Sequence, residues 1–428
     1  MSRRLLAVVL AGACLVAPAL RAEGRQDTAP VPMSFKDAVA RAIERNPSAQ
    51  TAAAEILRAD ALLGQVRAGA LPHVSAGVTV TTNDGSAPVR STASTSQNQL
   101  AAGVTVLAPL YAPVQWALRV QALDNKQTAE LAAADVRRQV AVATAQAYLT
   151  VLAWQRVLDA NLRARDTAQA HYEFARQRRE SGAGSRLNEL RAQQSVSIDD
   201  VIVEEARAGL YRSQEALGVF VADTGPVTTS GEPLLDVPPS LVSAIAAMPT
   251  ERTDLRLAAG REKAASRVVS DSWKDWLPSV SGLFLPQYVN PATTIQPAWS
   301  WRLQVAASVP IFDAGSRREQ HAERSVLLKE SQIAFDGMVR QAQSEERTAE
   351  NALARSERAW AAAKLAAQQA REVVEIVNIS FKVGASTNIE VIDAQRVARD
   401  ADNAAAVAED QVRQSRLALL VALGRFPQ

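Results

Sequence analysis

Hydrophobic and polar residues alternate along four short segments of the chain, which occur as two pairs. At positions 74–80, valine and alanine alternate with serine, glycine and threonine, and the same period of two runs through 99–106 and 302–309. Such alternation, with glycine- and serine-containing linkers between the runs, is typical of β-hairpins. The pattern therefore predicts strands at about 71–82, 98–108, 277–288 and 301–310.

Long runs without helix-breaking residues follow the predicted hairpins. Residues 114–181 contain neither glycine nor proline, and residues 316–383 contain only Gly337. At 1.5 Å per residue, each run would form a helix on the order of 100 Å long. A helix of that length must lie against neighbours along its whole course, as in a coiled coil.

Shorter helices are predicted before the strands and after the long helices. Stretches rich in alanine and charged residues, at 34–70 and about 250–276, predict opening helices, and Pro47 indicates a helix boundary in the first. After each long helix, a glycine-containing turn precedes a returning helix, at 186–217 and 387–423. Each long helix would therefore reverse into a helical hairpin.

Three blocks of sequence occur twice in the same order. LPHVS at 71–75 corresponds to LPSVS at 277–281, Pro109 to Pro310, and the stretch after Gly182 to the stretch after Gly384. The nearly constant offset indicates a duplicated unit. The predicted organisation comprises a signal at 1–22, a linker at 23–33, repeats at 34–217 and 250–428, and a segment rich in glycine and proline at 218–249 between them.

The N-terminus has the features of a secretory signal. Arg3 and Arg4 precede an apolar run, and cleavage is expected after Ala19 or Ala22. Removal of residues 1–22 leaves 44 basic residues against 45 acidic ones, a net charge of about −1, which argues against a nucleic-acid partner. The only cysteine, Cys14, lies in this segment; the alternative to simple cleavage is a lipid anchor on Cys14.

Four strands that are apolar on one face fit the wall of a transmembrane barrel, for which about 9–11 tilted residues per strand suffice. No later stretch has the ~20 apolar residues of a spanning helix. A sheet within lipid must close, and four strands are too few to close it, so several chains would each supply a share of one barrel.

Aromatic residues cluster around the predicted strands. Their positions fit an interfacial belt at the membrane surface, and the alternative is that they pack a soluble core. They are Tyr111, Trp116, Trp273, Trp276, Tyr288, Trp299 and Trp301.

The chain resembles a known family in several of its motifs. These are ARAIERNPSAQ near the start, the two LP-x-VS strand openings, VPIFDAGSRREQ after the last strand, and the paired turns ARQRRESGAGSRLNELRAQ and FKVGASTNIEVIDAQ. Together they resemble the TolC-like channels, the outer membrane factors of efflux pumps and type I secretion systems. The resemblance covers essentially the whole mature chain.

The resemblance implies a fold that is mainly α with a small transmembrane β-barrel, built from a duplicated strand–strand–helical-hairpin unit. It implies a homotrimer in the outer membrane of a Gram-negative bacterium, continued by a long helical tunnel across the periplasm. The segment 218–249 would belong to an equatorial belt around this tunnel. The implied function is passive export as one part of a tripartite efflux pump or a type I secretion system.

The resemblance also suggests roles for residues at the two turns. The turns would contact a periplasmic adaptor through Gly182, Ala183, Gly184, Ser185, Gly384, Ala385 and Ser386. Glu390 and Asp393, three apart on one helix face, match positions of acidic rings at the tunnel entrance and would favour cations. The alternative for Glu390 is a capping box with Thr387. Arg186 and Arg191 are candidates for a gate, because no basic residue lies between Gly384 and Glu390.

No constellation of catalytic residues is found in the sequence. The three histidines, His73, His171 and His321, are widely spaced, so neither an enzyme activity nor a metal site or cofactor is expected. The implied partners are the adaptor, an inner-membrane pump of the RND or ABC type, and outer membrane lipid. The alternative function is that of a periplasmic adaptor or structural coiled-coil protein without a pore.

Overall fold

The computed structural model describes residues 29–82, 98–236, 251–292 and 297–426 of the 428-residue chain. The predicted signal at 1–22, Cys14, and residues 237–249 of the segment between the repeats lie outside the described residues. Most of the described chain is helical, as the sequence predicts.

The described part of the first repeat contains four helices, which are α1 (Phe35–Arg45), α2 (Pro47–Ala68), α3 (Pro113–Glu180) and α4 (Arg186–Val221). The first two are separated at Asn46, whose side chain accepts a hydrogen bond from the backbone N–H of Ser48 while Pro47 occupies the first helical position. This confirms the boundary that Pro47 predicts.

The described part of the second repeat follows the same plan. Its helices are α5 (Thr253–Asp271), α6 (Ser316–Lys382) and α7 (Asn388–Ala422), and a short 3-10 helix, Ser272–Trp276, follows α5. With 68 and 67 residues, α3 and α6 are each about 100 Å long, as predicted. No described helix combines the length and apolar character needed to cross a membrane.

Each long helix packs against a short helix over one part of its length and a returning helix over another. The start of α2 meets the end of α4, where Asn46 Nδ2 donates to the Phe220 carbonyl over 3.1 Å. The start of α5 meets the end of α7 in the same way, where Arg252 Nη1 donates to the Ala422 carbonyl over 3.1 Å. The duplication in sequence is therefore also a duplication in packing.

The four predicted strands form one antiparallel sheet. The strands are β2 (His73–Thr82), β3 (Asn98–Tyr111), β5 (Ser279–Asn290) and β6 (Trp299–Ser308). Their order in the sheet is β2-β3-β5-β6, so β2 and β6 are its edges. Each hairpin is formed within one repeat, and the β3–β5 pairing joins the two repeats.

The segment 23–33 is more than the linker that the sequence predicts. Its end forms a strand, β1 (Val31–Met33), which pairs in parallel with β4 (Val227–Thr229). The pairing is stabilised by the buried Tyr148 hydroxyl on α3, which donates to the Gly231 carbonyl over 2.8 Å. Met33 and Val227 are buried against Tyr148, so both connecting segments are fixed to the middle of α3.

Small residues allow the helices to approach closely. Ala141 and Ala145 of α3 are fully buried in a cluster with Leu417 and Leu420 of α7. On the other side of α3, a Cβ at Gly209 of α4 would come within 2.7 Å of the Trp154 ring. Small residues at these positions therefore let the long helices pack closely.

Candidate functional site: the sheet face and the hairpin turns

One face of the four-stranded sheet is continuously apolar. Strand register places Val74, Ala76, Val78 and Val80 of β2 opposite Val106, Val104, Ala102 and Leu100 of β3. The same face continues through Phe284, Pro286 and Tyr288 of β5 to Leu303, Trp301 and Trp299 of β6. The opposite face of the edge strands carries serine, threonine, arginine and glutamine. Trp299 and Trp301 are 72% and 71% exposed, so this face is uncovered in the single chain.

The aromatic residues singled out from the sequence lie at the sheet and at its junction with the helices. Tyr288 packs on Trp299 with ring centroids 5.2 Å apart, and Tyr111 packs on Trp116 at 5.3 Å. Trp273 and Trp276 lie just before β5 and are exposed. The guanidinium of Arg317 lies 4.3 Å from the centre of the Trp276 ring.

The two hairpin turns have the same backbone geometry. In the first, the N–H of Gly182 donates to the Arg179 carbonyl and that of Ala183 to the Arg178 carbonyl. In the second, the N–H of Gly384 donates to the Phe381 carbonyl and that of Ala385 to the Ser380 carbonyl. This is the Schellman motif, in which the residue after the C-cap has a positive φ. Gly182 and Gly384 have φ values of 77° and 82°.

Each returning helix begins with a hydroxyl cap. Ser185 accepts from the N–H of Asn188, and Thr387 accepts from the N–H of Glu390. In the second turn, Glu390 Oε2 also accepts from the Thr387 N–H over 2.9 Å, which completes a capping box. The capping interpretation of Glu390 is therefore confirmed, and its carboxylate remains exposed.

The acidic and basic candidates near the turns do not pair with one another within one chain. Asp393 forms an ion pair with Arg396 of the same helix, 2.7 Å away. Within the described part of the chain, the side chains of Arg186 and Arg191 make no hydrogen bond or ion pair. Arg191 lines a groove of about 300 Å³ between α4 and α7. Any function of these residues as a gate would therefore depend on movement or on a neighbouring chain.

Polar contacts that the sequence pattern does not predict join the two hairpins near the turns. Arg399 of α7 forms an ion pair with Asp199 of α4, with Nη1 and Oδ1 2.6 Å apart and both side chains largely buried. Farther toward the turns, Asn388 bridges His171 of α3 and the Asn188 carbonyl. Asp199 and Arg399 follow Gly182 and Gly384 at similar separations along the sequence. This matching placement of opposite charges is the feature of the sequence from which the ion pair could have been predicted.

The described residues include no group of three or more His, Cys, Asp or Glu side chains placed to hold a metal ion. His73 and His321 are exposed, and His171 is buried. The features that stand out in the described chain are therefore a sheet with an apolar face, two turns, and a polar contact between two hairpins.

In the described chain, a sheet with two edge strands is joined to helical hairpins about 100 Å long. A family model described as outer membrane efflux protein matches residues 38–219 and 247–425, most of both repeats. The chain belongs to the outer membrane efflux protein family and is an efflux channel of the outer membrane. This assignment supports the channel over the alternative of an adaptor. No curated protein sequence matches the chain.

Three solved structures with the same fold are described as outer membrane channels or an outer membrane protein. The channel CmeC of Campylobacter jejuni is 17% identical, with a TM-score of 0.78 over 91% of this chain and 85% of that one. The channel MtrE of Neisseria gonorrhoeae, in an open state, is 17% identical, with a TM-score of 0.76 over 92% and 90%. VceC of Vibrio cholerae is 16% identical, with a TM-score of 0.76 over 91% and 96%.

Proposed function

We propose that three copies of this chain form one passive conduit through the outer membrane. The observation that carries this proposal is the sheet, which has one continuously apolar face and two edge strands, β2 and β6. In lipid, the unpaired N–H and C=O groups of an edge have no water to bind, so the edges must pair with other strands. Pairing of β2 in one chain with β6 of the next would close a barrel from three chains.

The apolar face would then contact outer membrane lipid, and the polar face would line the opening. Trp299, Trp301 and Tyr288 would lie at the membrane interface, where amphipathic rings are favoured. The interface nearer the helices would be marked by Tyr111, the last residue of β3, and by three residues that follow or precede the strands, Trp116, Trp273 and Trp276. The segment 218–249, of which β4 is part, would belong to a belt around the tunnel.

The hairpin turns would form the periplasmic entrance. Gly182 to Ser185 and Gly384 to Ser386 are surface turns at the ends of the long helices, suited to contact with an adaptor protein. Glu390 and Asp393 follow the second turn, and three chains would place six carboxylates around the entrance. A ring of that charge favours cations. Arg186, the first residue of α4, and Arg191 on the same helix would serve as a gate at this entrance. The side chain of Arg191 has no partner within the described chain.

Transport would be driven by a separate inner-membrane pump of the RND or ABC type, coupled through the adaptor. CmeC and MtrE are described as outer membrane channels, which supports the assignment of this role. The protein itself would act without catalysis and without a cofactor. The cargo would then be selected mainly by the pump.

The trimer is tested by the native mass of the mature protein extracted from outer membranes in detergent. A three-chain species is expected. A soluble periplasmic monomer would contradict the proposal, because the sheet edges would then remain unpaired.

Disulfide formation tests the proposed contact between chains more directly. The only cysteine, Cys14, precedes the mature chain in the predicted cleavage scheme, so introduced cysteines can be followed alone. Thr79→Cys on β2, combined in turn with Ser300→Cys, Gln304→Cys or Ser308→Cys on β6, is expected to give covalently linked trimers for one combination. Ala101→Cys is the matched control, because it lies opposite Thr79 on the interior strand β3. Equal linkage from position 101 would contradict the β2–β6 contact.

A further inference from the structure

His171 lies at the contact between the two helical hairpins, close to both turns. It belongs to α3 of the first hairpin, and its Nε2 lies 2.8 Å from Oδ1 of Asn388, the first residue of α7 in the second. The His171 side chain is only 6% exposed. The other two histidines of the chain, His73 and His321, are exposed.

The Asn388 amide determines which imidazole nitrogen carries the proton. Its Nδ2 donates to the Asn188 carbonyl over 3.3 Å, which orients Oδ1 toward the His171 ring. Because an amide oxygen can only accept, Nε2 of His171 is the donor. A second proton must therefore be added at Nδ1, for which the described residues provide no hydrogen-bond partner.

The His171 ring is buried beside aromatic side chains. Its centroid is 5.2 Å from that of Phe381, which also contacts Phe174, and the Arg178 guanidinium lies 5.6 Å from the centre of the Phe381 ring. Burial lowers the pKa of His171 below its ordinary value, and the hydrogen bond to Asn388 opposes this effect only in part. The closed contact therefore favours the neutral imidazole.

Charged side chains near the ring come from two of the four helices that meet here. From α3 they are Glu173, which accepts a hydrogen bond from Gln169, and Arg178; from α6 the charged group is Lys382. Among the described residues, α4 and α7 place uncharged groups at this contact, namely the Asn188 carbonyl and the side chains of Asn388 and Gln395. Beside Asn188, Glu189 of α4 forms an ion pair with Arg179 of α3, 2.8 Å away. A cavity of about 480 Å³ beside the ring gives water and protons access to it.

We propose that His171 is a proton-sensitive contact, which holds the two hairpins together near their turns while neutral and releases them when protonated. This inference rests on the proposed function, because release of the hairpins would widen the periplasmic entrance. The joined arrangement binds fewer protons than the separated one, so its stability is complete above about pH 6.5 and falls as the pH is lowered. Each unit of difference between the two pKa values of His171 is worth about a tenfold change in the equilibrium.

Hydrogen–deuterium exchange of the full-length, detergent-solubilised protein tests the proposal. Exchange is measured for residues 178–190 and 380–392 at pH 7.5 and 5.5 and corrected for the intrinsic effect of pH. In the natural chain, the corrected rates are expected to rise several-fold at pH 5.5. His171→Gln can still donate to Asn388 but cannot be protonated, so its corrected rates should not change. His73→Gln and His321→Gln are matched controls and should respond like the natural chain.

A natural chain whose turns do not respond to pH, or a His171→Gln variant that responds equally, would overturn the proposal. Conductance in planar bilayers, recorded on the same samples, separates this outcome from failure of the proposed function. If the protein conducts at pH 7.5 but the exchange rates of His171→Gln respond to pH as those of the natural chain do, only the proposed role of His171 is wrong. If the protein never conducts, the channel proposal is wrong, and the exchange rates still report on His171.

Direct titration of the ring provides a second measurement if His171→Gln does not assemble. The protein has three histidines, and His73→Gln and His321→Gln assign two of their NMR signals. The remaining signal should titrate below the ordinary value of about 6.5. A value at or above 6.5 would overturn the proposal, since the closed contact would then not resist protonation.

Discussion

Glu390 has two physical roles at the start of α7, and they can be separated by substitution. Its carboxylate accepts from the Thr387 N–H and so stabilises the helix start, while its negative charge remains exposed at the turn. Asp393 is partly neutralised by Arg396 at 2.7 Å, so Glu390 is expected to contribute more of the free charge. A glutamine at 390 would keep the cap, because a capping box accepts either residue.

Removal of both charges should reduce the preference of the channel for cations. For Glu390→Gln combined with Asp393→Asn, we expect the reversal potential under a salt gradient to move toward zero in planar bilayers. Asp336→Asn with Glu350→Gln is a control of equal charge, in exposed positions at least about 45 Å along α6 from the turn. An unchanged reversal potential in the first variant would contradict the role of Glu390 and Asp393 in selectivity.

Loss of the cap alone should reduce stability without changing ion selectivity. Thr387→Ala removes the hydroxyl acceptor and should cost about 1 kcal/mol of folding free energy, while ion selectivity is retained. The denaturation midpoint and the reversal potential together check this expectation.

The turn glycines are required by backbone geometry. Gly182→Ala or Gly384→Ala would place a Cβ at a positive φ and should destabilise the protein by roughly 1–2 kcal/mol. Gly337→Ala is the matched control, because Gly337 lies within α6 and an alanine Cβ there would meet no heavy atom within 4 Å, so alanine should stabilise by about 1 kcal/mol. The denaturant midpoint should therefore fall for Gly182→Ala and Gly384→Ala and rise for Gly337→Ala. An equal fall in all three would contradict the requirement for glycine at the two turns.

At the scale of elements, the contacts between the two hairpins change along their length. Away from the turns they are apolar, as in the cluster of Ala141 and Ala145 with Leu417. Near the turns, hydrogen bonds and the Arg399–Asp199 ion pair lie beside the aromatic contact of Phe381 with His171. Polar contacts lose less than apolar ones when water enters, so the hairpins can separate at the turns at lower cost than either hairpin can unfold.

Neutralisation of the Arg399–Asp199 pair should favour separation of the hairpins. Asp199→Asn leaves Arg399 without its partner on α4, and a cost of about 1–2 kcal/mol corresponds to a 5–30-fold shift in a two-state equilibrium. We expect a larger conductance or a higher open fraction. Asp402→Asn is the control, since its partner Arg371 lies on the same hairpin. Equal effects from both variants would contradict the role of the Arg399–Asp199 pair in holding the hairpins together.

Asp410 provides a pH-dependent test of packing within α7. Burial raises the pKa of Asp410 to about 6, although Arg413 and Arg156 favour the charged form, and its Oδ1 has no partner among the described residues. Because the folded pKa exceeds the ordinary value of 3.8, the folded protein retains a proton that the unfolded chain releases. Stability should therefore fall as the pH rises from about 4 through about 6.

Asp410→Asn should raise the unfolding midpoint at pH 7.5 and have little effect near pH 4. Its neighbour Glu409 is the opposite case: burial disfavours its charge, but Arg156 and Arg413 outweigh this and lower its pKa. Glu409→Gln should therefore lower the midpoint at pH 7.5. A loss of stability in Asp410→Asn at pH 7.5 would contradict the assigned burial of an ionised carboxylate.

At the scale of the whole molecule, the elements with a strong local pattern could be predicted from the sequence. The alternation of apolar and polar residues predicts the four strands of the large sheet, and the runs with almost no glycine or proline predict the helices about 100 Å long. The pairing of β1 with β4 could not be predicted, because three-residue strands carry no periodic signal and lie almost two hundred residues apart. The contacts of His171 and Arg399 were also missed, since they depend on how two hairpins lie side by side.

The apolar face of the sheet leads to a test on the assembled protein in lipid. Trp299 and Trp301 point to that face in the register of β6, whereas Trp154 packs against Gly209 between α3 and α4. A variant that retains only Trp299 and Trp301, with phenylalanine at its five other tryptophan positions, should be quenched strongly in vesicles of brominated phospholipid. A variant that retains only Trp154 should be quenched little, because its helices would lie outside the bilayer. Equal quenching of the two variants would contradict the assignment of the sheet, rather than the helices, to the membrane.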